Sequence, residues 1–232
     1  MAETRRASKK KIHALLKEPD LDRLIDNLRR LPETPVINTL IGALCSTDET
    51  SKWQAVTALG VMVAALADKD LEAARVIMRR FMWMLNDESG GIGWGVPEAM
   101  AEIMANHAAL AQEYAHILVS FLREDGFYLE HVPLQRGLMW GLGRLAGVRP
   151  ELLRTKDAVR HLLPYLDSDD HGVQGLAALA LGRLKAVEVE VKLRTLCSEA
   201  GKVRFYQDRN LVEKNVGELA GEALSALHES GS

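Results

Sequence analysis

Hydrophobic residues recur along this chain with a helical period, most clearly at Val173, Leu176, Ala177, Ala180, Leu181 and Leu184. Offsets of 0, 3, 4, 7, 8 and 11 place all six on one face of an α-helix. The same template fits Leu134, Gly137, Leu138, Gly141, Leu142 and Leu145, 39 residues earlier. The polar positions repeat as well, since Gly143-Arg144-Leu145 closes one run and Gly182-Arg183-Leu184 the other. Further copies run Val96, Ala99, Met100, Ile103, Met104, closing on His107, and Val216, Leu219, Ala220, Ala223, Leu224, Leu227. A looser copy holds Ser51, Gln54, Ala55, Ala58, Leu59 and Met62. Helices starting near 51, 96, 134, 173 and 216 follow, with loops of unequal length between them.

Each of these helices has a partner before it, predicted at Val36–Leu44, Leu71–Leu85, Leu110–Leu122, Asp157–Leu166 and Val187–Leu196. Two more, at Lys9–Leu16 and Leu21–Leu31, would cap the first pair, because an end repeat must cover its open apolar face. Pro19, Pro32 and Pro35 punctuate that region. A period near 40 without a strand signal predicts stacked helical hairpins. The expectation is an all-α, right-handed α-solenoid of about five such hairpins, one domain over 1–232, with a cap at 1–34 and repeats at 35–228.

The unit Val173-Gln174-x-x-Ala177-Ala178-x-Ala180-Leu181-Gly182-Arg183-Leu184 resembles the HEAT-like repeat of the phycobilisome-lyase type. The likeness is close at 173–184, good at 134–145 and weaker elsewhere. Proteins with such repeats include chromophore lyases, assembly factors and scaffolds, so the likeness implies fold more than activity. It also implies that the second helix of each pair lines a concave face. On those helices the positions opposite the apolar stripe are offsets 2, 6 and 9. Offset 9 reads Gly60, Ala105, Gly143, Gly182 and Ser225, all small. Glycine inside a helix costs roughly 1 kcal/mol against alanine, so the column implies a close approach, by a neighbouring helix or by a partner. Offsets 2 and 6 include Trp53, Glu98, Glu102, Arg136 and Trp140, the expected binding groove, with a Glu98–Arg136 ion pair between adjacent repeats.

Loops joining first to second helices carry aromatic residues beside glycines. Trp94, Phe127, Tyr128, His131, His171, Tyr206 and Arg209 form the expected binding rim, either as plugs of the core ends or as a recognition edge. The run from Gly90 to Gly95 around Trp94 has more glycine than a turn requires and marks a candidate functional loop.

Composition narrows the partners. At 232 residues and 47% hydrophobic, the chain needs no disulfide to bury a core. With 29 basic and 32 acidic residues the net charge is −3, giving no bulk attraction to nucleic acid or anionic membranes. Cys45 and Cys197 read as small core residues too far apart to bridge, which favours a reducing, cytoplasmic setting. No run approaches the roughly 18 apolar residues of a membrane span, and no signal-peptide pattern is present.

Catalytic and metal chemistry find less support. Glu130–His131 and His228–Glu229 are similar to the His-Glu dipeptides of HEAT-repeat di-iron hydroxylases, but one is reversed and the other is terminal, so no metal or other cofactor is expected. No nucleophile elbow or phosphate loop occurs. Trp94-x-x-x-Glu98 with Arg136 resembles the residue set of HEAT-repeat DNA glycosylases acting on alkylated bases, implying a stacking ring, a carboxylate and a phosphate clamp. Here the acid is Glu, and Glu102, Glu218 and Glu222 add repulsion toward a phosphate backbone. The expected function is therefore a non-enzymatic scaffold or assembly factor that binds a protein partner. The alternatives are that glycosylase, or a lyase- or chaperone-like factor for a cofactor-bearing protein. Sequence leaves the partner, the oligomeric state and any small molecule open.

Overall fold

The computed structural model describes residues 2–86 and 93–228, which form two compact units, Met1–Ala108 and Ala109–Ser232. In the first unit, α1 (Ala2–Leu15) and α2 (Leu21–Arg29) precede two helix pairs. These are α3 (Glu33–Ala43) with α4 (Glu49–Lys69), and α5 (Leu71–Asn86) with α6 (Val96–Asn106). The Asp48 carboxylate starts α4 by accepting from the Ser51 backbone N–H at 3.0 Å. Gly95, at φ 74°, turns the chain into α6, where a Cβ would lie 2.9 Å from the Leu44 carbonyl oxygen. Pro97 then occupies the first turn, where a missing N–H costs nothing.

The second unit holds α7 (Ala108–Ser120) and α8 (Val132–Ala146), followed by short helices α9 (Pro150–Arg154) and α10 (Ala158–Leu162). A 3₁₀ turn at Leu163–Asp167 leads to α11 (His171–Arg183), and a second at Val187–Val189 leads to α12 (Glu190–Leu196). An antiparallel hairpin of β1 (Lys202–Gln207) and β2 (Asn210–Asn215) precedes α13 (Val216–His228). Two departures from the sequence reading follow. The helix expected over Asp157–Leu166 is split, because Pro164 cannot donate to an α-helical ladder. The segment expected as a loop from Gly201 is a strand, whose alternation of exposed Lys202 and Arg204 with buried Val203 and Phe205 has a period of two.

In both units the cores run along the second helices. α4 packs on α6, and α11 packs between α8 and α13. At three positions of the small column, Gly60, Gly143 and Gly182, these helices meet. A Cβ on Gly60 would sit 2.5 Å from Glu102 Cγ, and one on Gly182 would sit 2.4 Å from Ala223 Cα. Neighbouring helices, not a ligand, account for the closeness at these two positions. Arg183 joins α11 to α8 by donating from Nη1 to the Gly143 carbonyl at 2.9 Å, and its burial pushes the guanidinium pKa down.

Candidate functional site

In the first unit the groove residues are buried. Trp53 on α4 is 7% exposed, and Glu98 and Glu102 on α6 are 3% and 7% exposed. Glu98 Oε1 accepts from Lys52 Nζ at 2.7 Å, and the same ammonium lies 5.1 Å from the Trp53 ring centroid. Lys52 thus joins two expected groove residues, although its offset of 1 is not among the positions opposite the apolar stripe. The other oxygen, Glu98 Oε2, is buried with no hydrogen-bond partner among the described residues. Glu102 Oε1 accepts from Asn106 Nδ2 at 3.1 Å, one turn away from that cluster. Trp94, just before α6, is 37% exposed. Gly90 and Gly91 of the Trp94 loop lie outside the described residues.

Arg136, on α8, is bound to Asp170 in a two-pronged pair, Nε to Oδ1 at 2.8 Å and Nη2 to Oδ2 at 2.5 Å. Each charge of the expected Glu98–Arg136 pair therefore has its partner inside its own unit. The guanidinium holds the Asp170 carboxyl below its usual range, and the carboxylate raises the Arg136 pKa in turn. Asp170 also caps α11, so a carboxylate just before a helix was the signal that could have found it.

Trp140, one turn along α8, donates from Nε1 to the Tyr206 carbonyl at 2.6 Å. Groove and rim residues are thus brought together in the second unit, with an unexpected result. The β1–β2 hairpin lies against α11, and a Cβ on Gly175 would meet Val203 Cγ2 at 2.9 Å. The inward face that the sequence left open to a partner is covered there by the chain itself. Arg209 sits in the tight turn of that hairpin, where both Asp208 (φ 48°) and Arg209 (φ 66°) are left-handed.

The remaining rim residues divide. His171 begins α11, with its imidazole Nε2 3.9 Å from Glu199 Oε1 and its ring stacked against Gly201, where a Cβ would lie 2.2 Å away. The segment from Arg123 to Pro133 is pinned to its neighbours. Gly126 N–H donates to the Arg123 carbonyl, Phe127 N–H to Ser120 and Leu129 N–H to Phe121, at 3.0, 3.1 and 3.2 Å. Gln135 Nε2 donates to the Leu129 carbonyl at 2.9 Å and to the Tyr128 hydroxyl at 3.1 Å. From this pinned frame Phe127 is 51% exposed, with its ring 6.4 Å from that of Phe121. Tyr128 and Val132 are also exposed beside it, and His131 accepts the first backbone bonds of α8. The Tyr165 phenol, buried beneath, is pushed well above its usual pKa, mainly by burial.

The two cysteines, expected in the core, are both exposed and free. Cys45 lines a cleft of about 340 Å³ with His13, Lys17, Asp48 and Ser51. Cys197 follows the end of α12. Among the described residues, no group of three or more His, Cys, Asp or Glu side chains is arranged to hold a metal ion. No described helix is long and apolar enough to cross a membrane.

These features define a class of protein, helical repeats in which second helices carry the core, and the comparisons agree. The HEAT-like repeat family matches residues 132–184, a stretch shorter than half of the chain. The chain is 18% identical to the designed armadillo repeat protein YIII(Dq.V1)4CPAF, solved in complex with peptide (KR)4. That likeness covers 94% of this chain and 98% of the other at a TM-score of 0.55. An engineered protein from a structural genomics consortium is 16% identical, covering 97% and 92%, at a TM-score of 0.59. A natural relative from Archaeoglobus fulgidus, described only as an uncharacterized protein, is 26% identical over 79% of this chain and 92% of its own. Residues 132–184 match the HEAT-like repeat, and the chain has the fold of armadillo-type helical repeats.

Proposed function

We propose that this protein is a non-enzymatic scaffold or assembly factor that binds a segment of a partner protein. The observation that carries the reading is the pinned loop presenting Phe127 and Tyr128, with Val132 at the start of α8, these three being 51%, 37% and 39% exposed. Aromatic side chains held out by a rigid frame lose little conformational entropy on binding, which makes such loops efficient anchors. The fold supports it, because a designed protein of similar architecture holds a peptide. In this reading the hairpin-covered face of α11 is core, and recognition falls to the rim, with Trp94 as a further exposed ring. The free, exposed thiols of Cys45 and Cys197 fit a reducing cytoplasm.

The test is selection of a displayed random-peptide library on the wild-type protein, followed by affinity measurement on variants. Enriched peptides should lose at least about tenfold in affinity, roughly 1.4 kcal/mol, on Phe127→Ala. Failure to enrich any peptide over an unrelated helical-repeat protein, or enrichment indifferent to Phe127→Ala and Tyr128→Ala, refutes the reading.

One observation favours the glycosylase alternative, namely the donor-free Glu98 Oε2. Against it, Glu98 is 3% exposed and ion-paired to Lys52, while the Arg136 fork that would clamp a phosphate is occupied by Asp170. Release of methylated bases from alkylated DNA, abolished by Glu98→Gln, would restore it.

A further inference from the structure

On the Phe127 rim the exposed rings are flanked by carboxylates. Over residues 123–132 one arginine stands against three acids, with histidine counted neutral. That arginine is neutralised locally. Arg123 grips Asp125 through Nε to Oδ1 at 2.9 Å and Nη2 to Oδ2 at 2.7 Å. Asp157, whose charge also reaches Arg123, pairs with Arg160 at 3.7 Å, and Arg136 is held by Asp170. Glu124 and Glu130 are left over. Both are exposed, and neither has a cation within ion-pair distance among the described residues.

The two glutamates bracket the apolar surface. Glu124 and Tyr128 both act on the buried Tyr165 phenol, so the carboxylate and the Tyr128 ring are gathered around one group. Exposed Tyr128 and Glu130 stand on either side of buried Leu129, which turns both outward. Aromatic rings beside uncompensated carboxylates favour a cation twice over, through the charge and through the negative ring faces. Lys and Arg also have long apolar stems that lie well along side chains such as Phe127 and Val132. Anionic lipid and nucleic acid are repelled by the same charges. A second copy of the chain, docked two-fold on this rim, would set Glu124 and Glu130 against their own images.

We propose that the Phe127 rim selects a basic segment of its partner protein. An apolar side chain of that segment would seat on Phe127 and Tyr128, and its Lys or Arg side chains would meet Glu124 and Glu130. This inference rests on the reading of the rim as a docking edge and adds the chemistry of what docks there.

The probe is a displayed random-peptide library, selected in parallel on the full wild-type chain, on Phe127→Ala and on the double variant Glu124→Gln/Glu130→Gln. Peptides enriched on wild type but not on Phe127→Ala should have more Lys and Arg than the unselected library, beside an aromatic or aliphatic residue. A synthetic peptide from that pool should bind wild type in an anisotropy titration and weaken with added salt. On the double variant it should lose about three- to tenfold in affinity and show a flatter salt dependence. Because both glutamates are exposed, the double variant should melt at the wild-type temperature, which separates lost binding from lost folding. Phe127-dependent peptides without a basic excess overturn this inference and leave the docking edge standing. So do basic peptides that bind the double variant as tightly as wild type. No Phe127-dependent enrichment at all overturns the inference and the docking edge together.

Discussion

At the start of α11, Asp170 Oδ1 accepts from the Val173 backbone N–H at 2.9 Å while both carboxylate oxygens hold the Arg136 guanidinium. One side chain therefore caps a helix and ties it to α8. Its pKa in the fold lies below the unfolded value of about 3.9, chiefly through the Arg136 hydrogen bond. The stabilisation is then fully present above that value and lost as pH falls through the folded pKa. Arg136 is 53% exposed, so solvent screening reduces the pair to about 0.5–1 kcal/mol. Asp170→Asn keeps a capping oxygen and removes the charge. Urea unfolding should show the variant less stable at pH 7, with the gap to wild type closing as pH falls below the unfolded value. Lys185 offers the opposite sign. It ends α11 at φ 53°, with Lys185 N–H donating to Gly182 and Ala186 N–H to Leu181, the double bond of a left-handed helix end. Lys185→Gly removes the steric cost of that conformation and should raise stability by about 0.5–1 kcal/mol, read as a higher denaturation midpoint.

Among elements, the crossing of α11 and α13 leaves the least room. Gly182 faces the Ala223 backbone, so an added methyl at 2.4 Å forces the helices apart. Gly182→Ala should cost about 1–3 kcal/mol by overpacking, despite roughly 1 kcal/mol of improved helix propensity. Thermal melting of the single variant decides it, and an unchanged or raised melting temperature would contradict the crossing. The hairpin is held differently, by burial of Val203 and Phe205 and by the Trp140 indole bond to Tyr206. Phe205→Ala should lose about 3–5 kcal/mol, with faster amide exchange over 202–215 than elsewhere in its unit.

At the scale of the whole molecule, helical repeats contact mainly their neighbours in sequence, so damage in one place spreads little. The Gly182→Ala variant should speed amide exchange in α8, α11 and α13 while leaving α2, α3 and α4 at wild-type protection.

Sequence alone determined the second helices of both units, since apolar offsets of 3 and 4 leave an amphipathic segment one way to bury its face. It located second helices starting within two residues of where they lie, and its small column marked the helix crossings. Tertiary structure decided which charges pair. Lys52 and Asp170 reach Glu98 and Arg136 from 46 and 34 residues away, and helical spacing has no information on such distances. It also decided that 202–215 would fold as a hairpin over α11, because a short alternating strand gains stability only where another element covers its apolar side.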